Sequence, residues 1–208
     1  MPRASKEQAE ANRRLITDNS ARLLRERGIH GLSVADLMSS AGLTHGGFYG
    51  HFESKDQLAG QACAHAFDRS VERWHKRIAA EATPAAGFKA LVEGYLSTRN
   101  RDNPGTSCPT PALAGDVARE PQAAPVRAAY REGVRQLLDV LDSVQDDAGT
   151  EESRRRTLAQ FAMMVGAVAL ARATAGDPIS DAFLVSARGM LSAAPRSAGS
   201  APTRRRRR

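Results

Sequence analysis

The sequence predicts an all-α fold of about nine helices, on three observations. Ser or Thr followed three positions later by an acidic or amide residue recurs ahead of apolar-periodic segments, the pattern of a helix N-terminus. Apolar residues recur at spacings of three and four. Alanine, leucine, arginine and glutamate, all good helix formers, dominate several segments, and the first eighty or so residues contain no alternating β pattern.

The elements follow in order. Ser5-Lys-Glu-Gln8 is a capping box, and the helix it opens carries Ile16, Ser20, Leu23 and Leu24 on one face before Gly28 ends it. Ser33-Val-Ala-Asp36 is a second box, followed by the stripe Val34, Leu37, Met38 and Ala41. Gly42 breaks that helix, and Thr44 is placed to cap a third, short one containing Phe48 and Phe52. Ser54-Lys-Asp-Gln57 opens a long helix running to about Ala80. Thr83-Pro84 starts the next, with Leu91, Tyr95 and Leu96 on its face. Arg101–Pro109 reads as a turn-rich break, and Thr110–Arg119 as a short helix. Pro121 marks a helix carrying Tyr130, Val134, Leu137, Leu138 and Leu141. Gln145–Thr150 is a polar loop. Thr150 caps a helix to about Ala175 whose second half is apolar nearly all round, and Asp177-Pro178 begins a last helix ending near Ala193. Residues 196–208, rich in small residues and ending in five arginines, read as a disordered basic tail.

Charge and cysteine content narrow the function classes. Of the formal net charge of +7, the run Arg204–Arg208 supplies five, so basicity by itself is weak support for nucleic acid; the run suits DNA phosphates and a solvated tail equally. Cys63 and Cys108 make neither a disulfide framework nor a zinc spacing, and no metal site or cofactor motif is present. The polar N-terminus has no apolar signal core, and the longest apolar run, Phe161–Ala171, is too short to span a bilayer, so a cytoplasmic location is expected. Nothing assigns a histidine to a cysteine as base, which leaves no catalytic residues to name.

Two short helices joined by Gly-Leu-Thr are a helix-turn-helix, a device that presents a short helix to the DNA major groove. His45 sits on the first turn, able to donate or accept; Phe48 and Phe52 anchor the helix to the core. Tyr49 and His51 flank the groove, and Ser33 and Lys55 lie at helix starts where free N–H groups favour a phosphate. Gly46, Gly47 and Gly50 are unexpected here, since glycine costs roughly 1 kcal/mol relative to alanine inside a helix.

The segment VADLMSSAGLTHGGFYGHFESKDQL resembles the DNA-binding domain of the tetracycline-repressor (TetR) family of bacterial transcriptional regulators. The resemblance rests on Val34, Leu37, Ala41, Gly42, the block Phe48-Tyr49-x-His51-Phe52, and Ser54-Lys55-x-x-Leu58, and covers about the first sixty residues. It implies a DNA-binding domain at 1–53, a helical ligand-binding and dimerisation domain at 54–195, and a homodimer formed through the last two helices. It implies base contacts at His45, Gly46 and Gly47 and phosphate contacts at Tyr49, His51 and Lys55, with Ser33 and Thr44 at helix starts beside them. The implied function is a ligand-responsive regulator, a repressor released from a palindromic double-stranded operator by a small molecule or thiol modification. An activator or a ligand-independent regulator is the alternative.

Tyr95, Cys108, Leu113, Tyr130, Val134 and Phe161 are candidates to line an effector pocket, with no basic cluster pointing to a ligand class. Cys108 precedes a helix start, a position that favours thiolate. CPTPALAGDVARE also resembles a segment of a subset of these regulators, some of which sense electrophiles or oxidants through a cysteine.

Overall fold

A computed structural model describes residues 6–193, which form nine α-helices and two short 3-10 segments without a strand. Helix α1 (Lys6–Arg27) ends where Gly28 takes a φ of 78°, its N–H donating to the Leu24 carbonyl at 2.9 Å. The expected Ser5 cap lies outside the described residues. Helix α2 (Val34–Ser40) opens on a complete capping box: Ser33 Oγ accepts from the Asp36 N–H at 3.1 Å, and Asp36 Oδ2 accepts from the Ser33 N–H at 2.8 Å. Gly42 then turns the chain at φ 69°, a left-handed conformation costly to other residues.

The third helix differs from expectation. His45–Gly50 is a 3-10 segment, and the Thr44 side chain makes no capping bond. Three glycines in six residues weaken α-helical propagation, and the chain instead closes three-residue turns, with Gly47 N–H on the Thr44 carbonyl at 3.0 Å and His51 N–H on Phe48 at 2.9 Å.

Helix α3 (Lys55–Ala79) is capped by Ser54, which accepts from the Gln57 N–H at 3.0 Å. Gln57 returns to the Glu53 N–H at 3.0 Å, one residue before the cap. Thr83 caps α4 (Pro84–Tyr95). The expected break holds two short elements, α5 (Thr98–Asp102), capped by Ser97, and a 3-10 turn at Pro104–Thr106. Helix α6 spans Pro109–Arg119. Helix α7 (Pro125–Asp142) starts later than expected, because Pro121–Ala124 forms a turn closed by the Ala124 N–H on the Pro121 carbonyl at 3.0 Å. Helices α8 (Glu151–Ala173) and α9 (Pro178–Ala193) complete the described chain.

Helix α3 is the organising element, packing on α1, α4 and most extensively α7. At the α3–α7 crossing the Phe67 ring lies over Gly133, where a Cβ would stand 2.0 Å from the ring. A single continuous apolar core runs from Phe48 and Phe52 through Phe67 to Leu137, Met164 and Leu184. Helix α8 is apolar on two opposite faces. Phe161, Met164, Val168 and Ala171 enter the core, while Leu158, Met163 and Leu170 face outward. Among the described residues no helix is long and apolar enough to cross a membrane.

Candidate nucleic-acid interface

The segment His45–Gly50 is held from behind and bare in front. Phe48 is fully buried and Phe52 nearly so, their rings 5.7 Å apart. Thr44, His45, Gly46 and Gly50 are exposed, as is Tyr49, which packs edge-on to Phe48 at 5.3 Å while remaining 73% exposed. An exposed tyrosine beside an exposed histidine gives this surface hydroxyl and imidazole groups, of the kinds that bond phosphates and base edges in protein–DNA complexes. His51 and Lys55 are half-buried at the far end. Ser33 stands exposed at the start of α2, its hydroxyl donating to Asp36 at 2.5 Å. These hydrogen bonds hold the Asp36 carboxyl below the usual carboxylate range and leave a negative charge beside Ser33.

The three glycines have ordinary backbone conformations, and nothing within the chain demands them. An added Cβ at Gly46 or Gly50 would meet no atom within 4 Å, and one at Gly47 would touch the Met38 methyl at an ordinary 3.5 Å.

Sequence reasoning missed Arg13. Its guanidinium donates to the His51 carbonyl and to Gln61 Oε1 at 2.8 Å, and lies 4.5 Å from the centre of the Phe52 ring. One side chain of α1 thus ties the end of the exposed segment to α3, a combined cation–π and hydrogen-bond contact. Asn19 does the same for α2, donating to the Ser40 carbonyl at 2.7 Å. Each donates to a backbone carbonyl far along the chain, a contact that leaves no trace in sequence.

The candidate effector residues are packed in the interior. Tyr95, Cys108, Leu113 and Phe161 are buried, and Tyr130 and Val134 are half-buried. Trp74 joins two of them, with ring centres 5.8 Å from Tyr95 and 6.3 Å from Phe161. Cys108 Sγ donates to Thr110 Oγ1 at 3.3 Å, and the Tyr130 hydroxyl to the Thr110 carbonyl at 3.0 Å. The Tyr95 hydroxyl is buried without a hydrogen-bond partner. Burial, then the neighbouring Cys108, push its pKa well up. Burial alone raises Cys63 to about 12, a thiol inert at neutral pH.

A basic cluster that sequence reading did not find lies alongside. A cavity of about 540 Å³ opens between α1, α3, α5 and the Pro104–Ser107 turn, lined by Arg22, Arg25, Arg69, Arg73, Arg77 and Arg99. The signal was present as Arg69, Arg73 and Arg77 at intervals of four on one helix, but facing arginines from α1 required the fold.

A model of the family described as bacterial regulatory proteins, tetR family, matches residues 16–62. Over 58 residues the chain is 34% identical to the HTH-type transcriptional regulator AcrR of Shigella flexneri, a stretch covering 28% of this chain and 27% of that relative's length. The whole fold is similar to solved structures. Reduced NemR of E. coli matches with a TM-score of 0.74 at 18% identity, over 87% of this chain and 95% of that one. A TetR-family regulator from Cytophaga hutchinsonii matches with a TM-score of 0.74 at 20% identity, over 92% and 97%. FadR of Bacillus subtilis, solved with stearoyl-CoA, matches with a TM-score of 0.66 at 16% identity, over 86% and 97%.

Proposed function

We propose that this chain, whose residues 16–62 match the family of bacterial regulatory proteins, tetR family, is a cytoplasmic, dimeric repressor of that family that leaves a palindromic operator when an effector binds. The observation that carries this reading is the exposed, Phe-anchored segment His45–Gly50 beside Ser33 and Lys55, a polar surface on a rigid support. In this reading residues 1–53 dock on DNA, His45 reads base edges, the glycines admit the backbone to the groove, and Tyr49, His51 and Lys55 hold phosphates.

The outward faces of α8 and α9 support the dimer. Leu158, Met163, Leu170, Ile179, Val185 and Met190 are 38–65% exposed, an unusual run of large apolar side chains on one helix pair. Gly166 and Gly189 have open space where a Cβ would stand, so a second copy could approach closely there. Pairing of the two copies would set the recognition segments against half-sites about 34–36 Å apart.

Release by an effector has two candidate routes. A small molecule acting through the helices of residues 54–195 is supported by the fold-level neighbour that holds stearoyl-CoA. Modification of Cys108 is supported by its position beside Tyr95 and within electrostatic reach of Arg25, Arg73 and Arg172. Either would act by favouring a dimer geometry that fits DNA poorly.

Selection of bound duplexes from a random library tests the function. Recovery of a two-fold-related sequence supports it; recovery of no enriched sequence contradicts it. For the thiol route, Cys108→Ser abolishes operator release by an alkylating agent, and unchanged release removes that route alone.

A further inference from the structure

The arginine-lined cavity has a charge balance that the folded chain leaves unfinished. Arg22 pairs with Glu26 at 2.9 Å and Arg69 with Glu72 at 3.5 Å. Arg25, Arg73, Arg77 and Arg99 form no ion pair among the described residues. Arg25 spends its donors on the Ala21 and Ser107 carbonyls, both at 2.8 Å, and Arg73 on the Ser70 hydroxyl at 2.8 Å. The one carboxylate lining the cavity, Asp18, is engaged by His65 at 2.5 Å. Burial, then proximity to Arg73, brings Arg25 down to about 10. Arg73, whose side chain still reaches solvent, is lowered by desolvation and by Arg69 and Arg77. Six arginines thus face only two paired glutamates, and like charges crowded together in this excess cost folding energy that an anion relieves.

The remaining wall is polar. Ser97, Asn100, Asn103 and Thr106 supply hydroxyl and amide groups, and Gly94 and Gly105 keep the floor low, since a Cβ at Gly94 would collide with the Arg77 guanidinium. Arg69, Arg73 and Arg77 repeat about every 6 Å along α3, so the cationic row is about 12 Å long and exceeds a single phosphate. Guanidinium groups bind phosphate oxygens in pairs of parallel hydrogen bonds. A cavity of about 540 Å³ suits a ligand of nucleotide size.

We propose that this cavity binds a small polyphosphate, free or carried on a polar organic group, clamped between Arg22 and Arg25 of α1 and Arg69, Arg73 and Arg77 of α3. The proposal deepens the effector reading above and rests on it for its regulatory consequence. Helix α1 carries Arg13 and Asn19, which hold the recognition segment and α2. A ligand fixing α1 to α3 therefore acts on the DNA-contacting surface directly. The walls supplied by α5 and the Pro104–Ser107 turn favour a small molecule over a DNA backbone.

Thermal unfolding of the full-length protein with pyrophosphate and with ADP tests this, using Arg73→Gln/Arg77→Gln and, as a control for general anion effects, Arg135→Gln. The expected result is a Tm rise of roughly 5–10 °C at a hundredfold excess over Kd, kept in R135Q and lost in R73Q/R77Q. The ligand-free Tm of the double variant is unchanged or higher, because it loses unpaired cations; a merely structural pair would lower it. A rise with both probes assigns the site to the phosphates, and a rise with ADP alone to a phosphate-bearing organic ligand. No rise with either probe, or an equal rise in the double variant, overturns the proposal. It is also overturned if R73Q/R77Q chiefly weakens duplex DNA binding with no small anion present, since the row then serves DNA. Pyrophosphate binding in a protein that binds no duplex would leave the site standing and remove the repressor reading instead.

Discussion

Gly46 separates what a residue does for the fold from what it does for a partner. Its absent Cβ faces open space and its backbone is unstrained, so neither packing nor conformation calls for glycine. A side chain there would meet nothing in the chain and, on the proposed function, would occupy the space that DNA enters. Gly46→Leu is therefore expected to weaken operator binding at least ~10-fold, about 1.4 kcal/mol, with no loss of Tm. Parallel anisotropy and thermal scans check this, and undiminished affinity would make the glycine incidental. His45→Ala is expected to relax preference at one position of each half-site by about 1–3 kcal/mol, whereas Lys55→Ala weakens all duplexes alike and lowers the salt slope by about 1. Competition against single-base variants of the operator distinguishes the two.

At the scale of elements, α7 carries two expectations. Gly133→Ala places a Cβ 2.0 Å from the Phe67 ring at the crossing with α3, and overpacking of this kind costs about 1–3 kcal/mol. In a chain of this size that is a Tm loss of roughly 2–12 °C. At the other end of α7, Asp142 accepts from Ser153 Oγ at 2.5 Å, Thr157 Oγ1 at 3.2 Å and the Gly149 N–H at 2.9 Å, joining α7 to α8 across the loop. Desolvation raises its pKa, but these bonds outweigh it and the carboxyl is held below its ordinary value. The stabilisation is present above the unfolded carboxylate value near pH 4 and is lost as pH falls through the lower folded value. Asp142→Ala, which orphans two buried hydroxyls, is expected to lower stability by about 1–3 kcal/mol at pH 7 and to flatten the acid limb of Tm against pH.

Caps and apolar spacing made most of these elements legible. The Ser33, Ser54, Thr83 and Thr150 caps all bond as their sequence pattern implies. Thr44 does not, because propensity in a glycine-rich segment overrides a good capping residue. The start of α7 was misplaced because proline suits both a turn and a first helical turn. Of the site, the exposed segment could be read locally, while Arg13 and the arginine cavity depend on residues separated by tens of positions and brought together by α1 and α3.

At the scale of the molecule, the apolar outer faces of α8 and α9 need a covering that the described residues do not supply. Val185→Glu together with Met190→Glu puts two charges in that face and is expected to convert a dimer to a folded monomer by sedimentation velocity, with operator affinity falling as one half-site is lost. A wild-type monomer would remove this part of the account. The central claim, sequence-specific DNA recognition by the surface around His45 and Tyr49, is tested most directly by measuring affinity for a selected duplex and a scrambled one across a salt series. Binding of the selected duplex is expected to be at least ~10³-fold tighter, weakening steeply with salt, with that preference reduced by His45→Ala. Equal affinity for the two duplexes would contradict it.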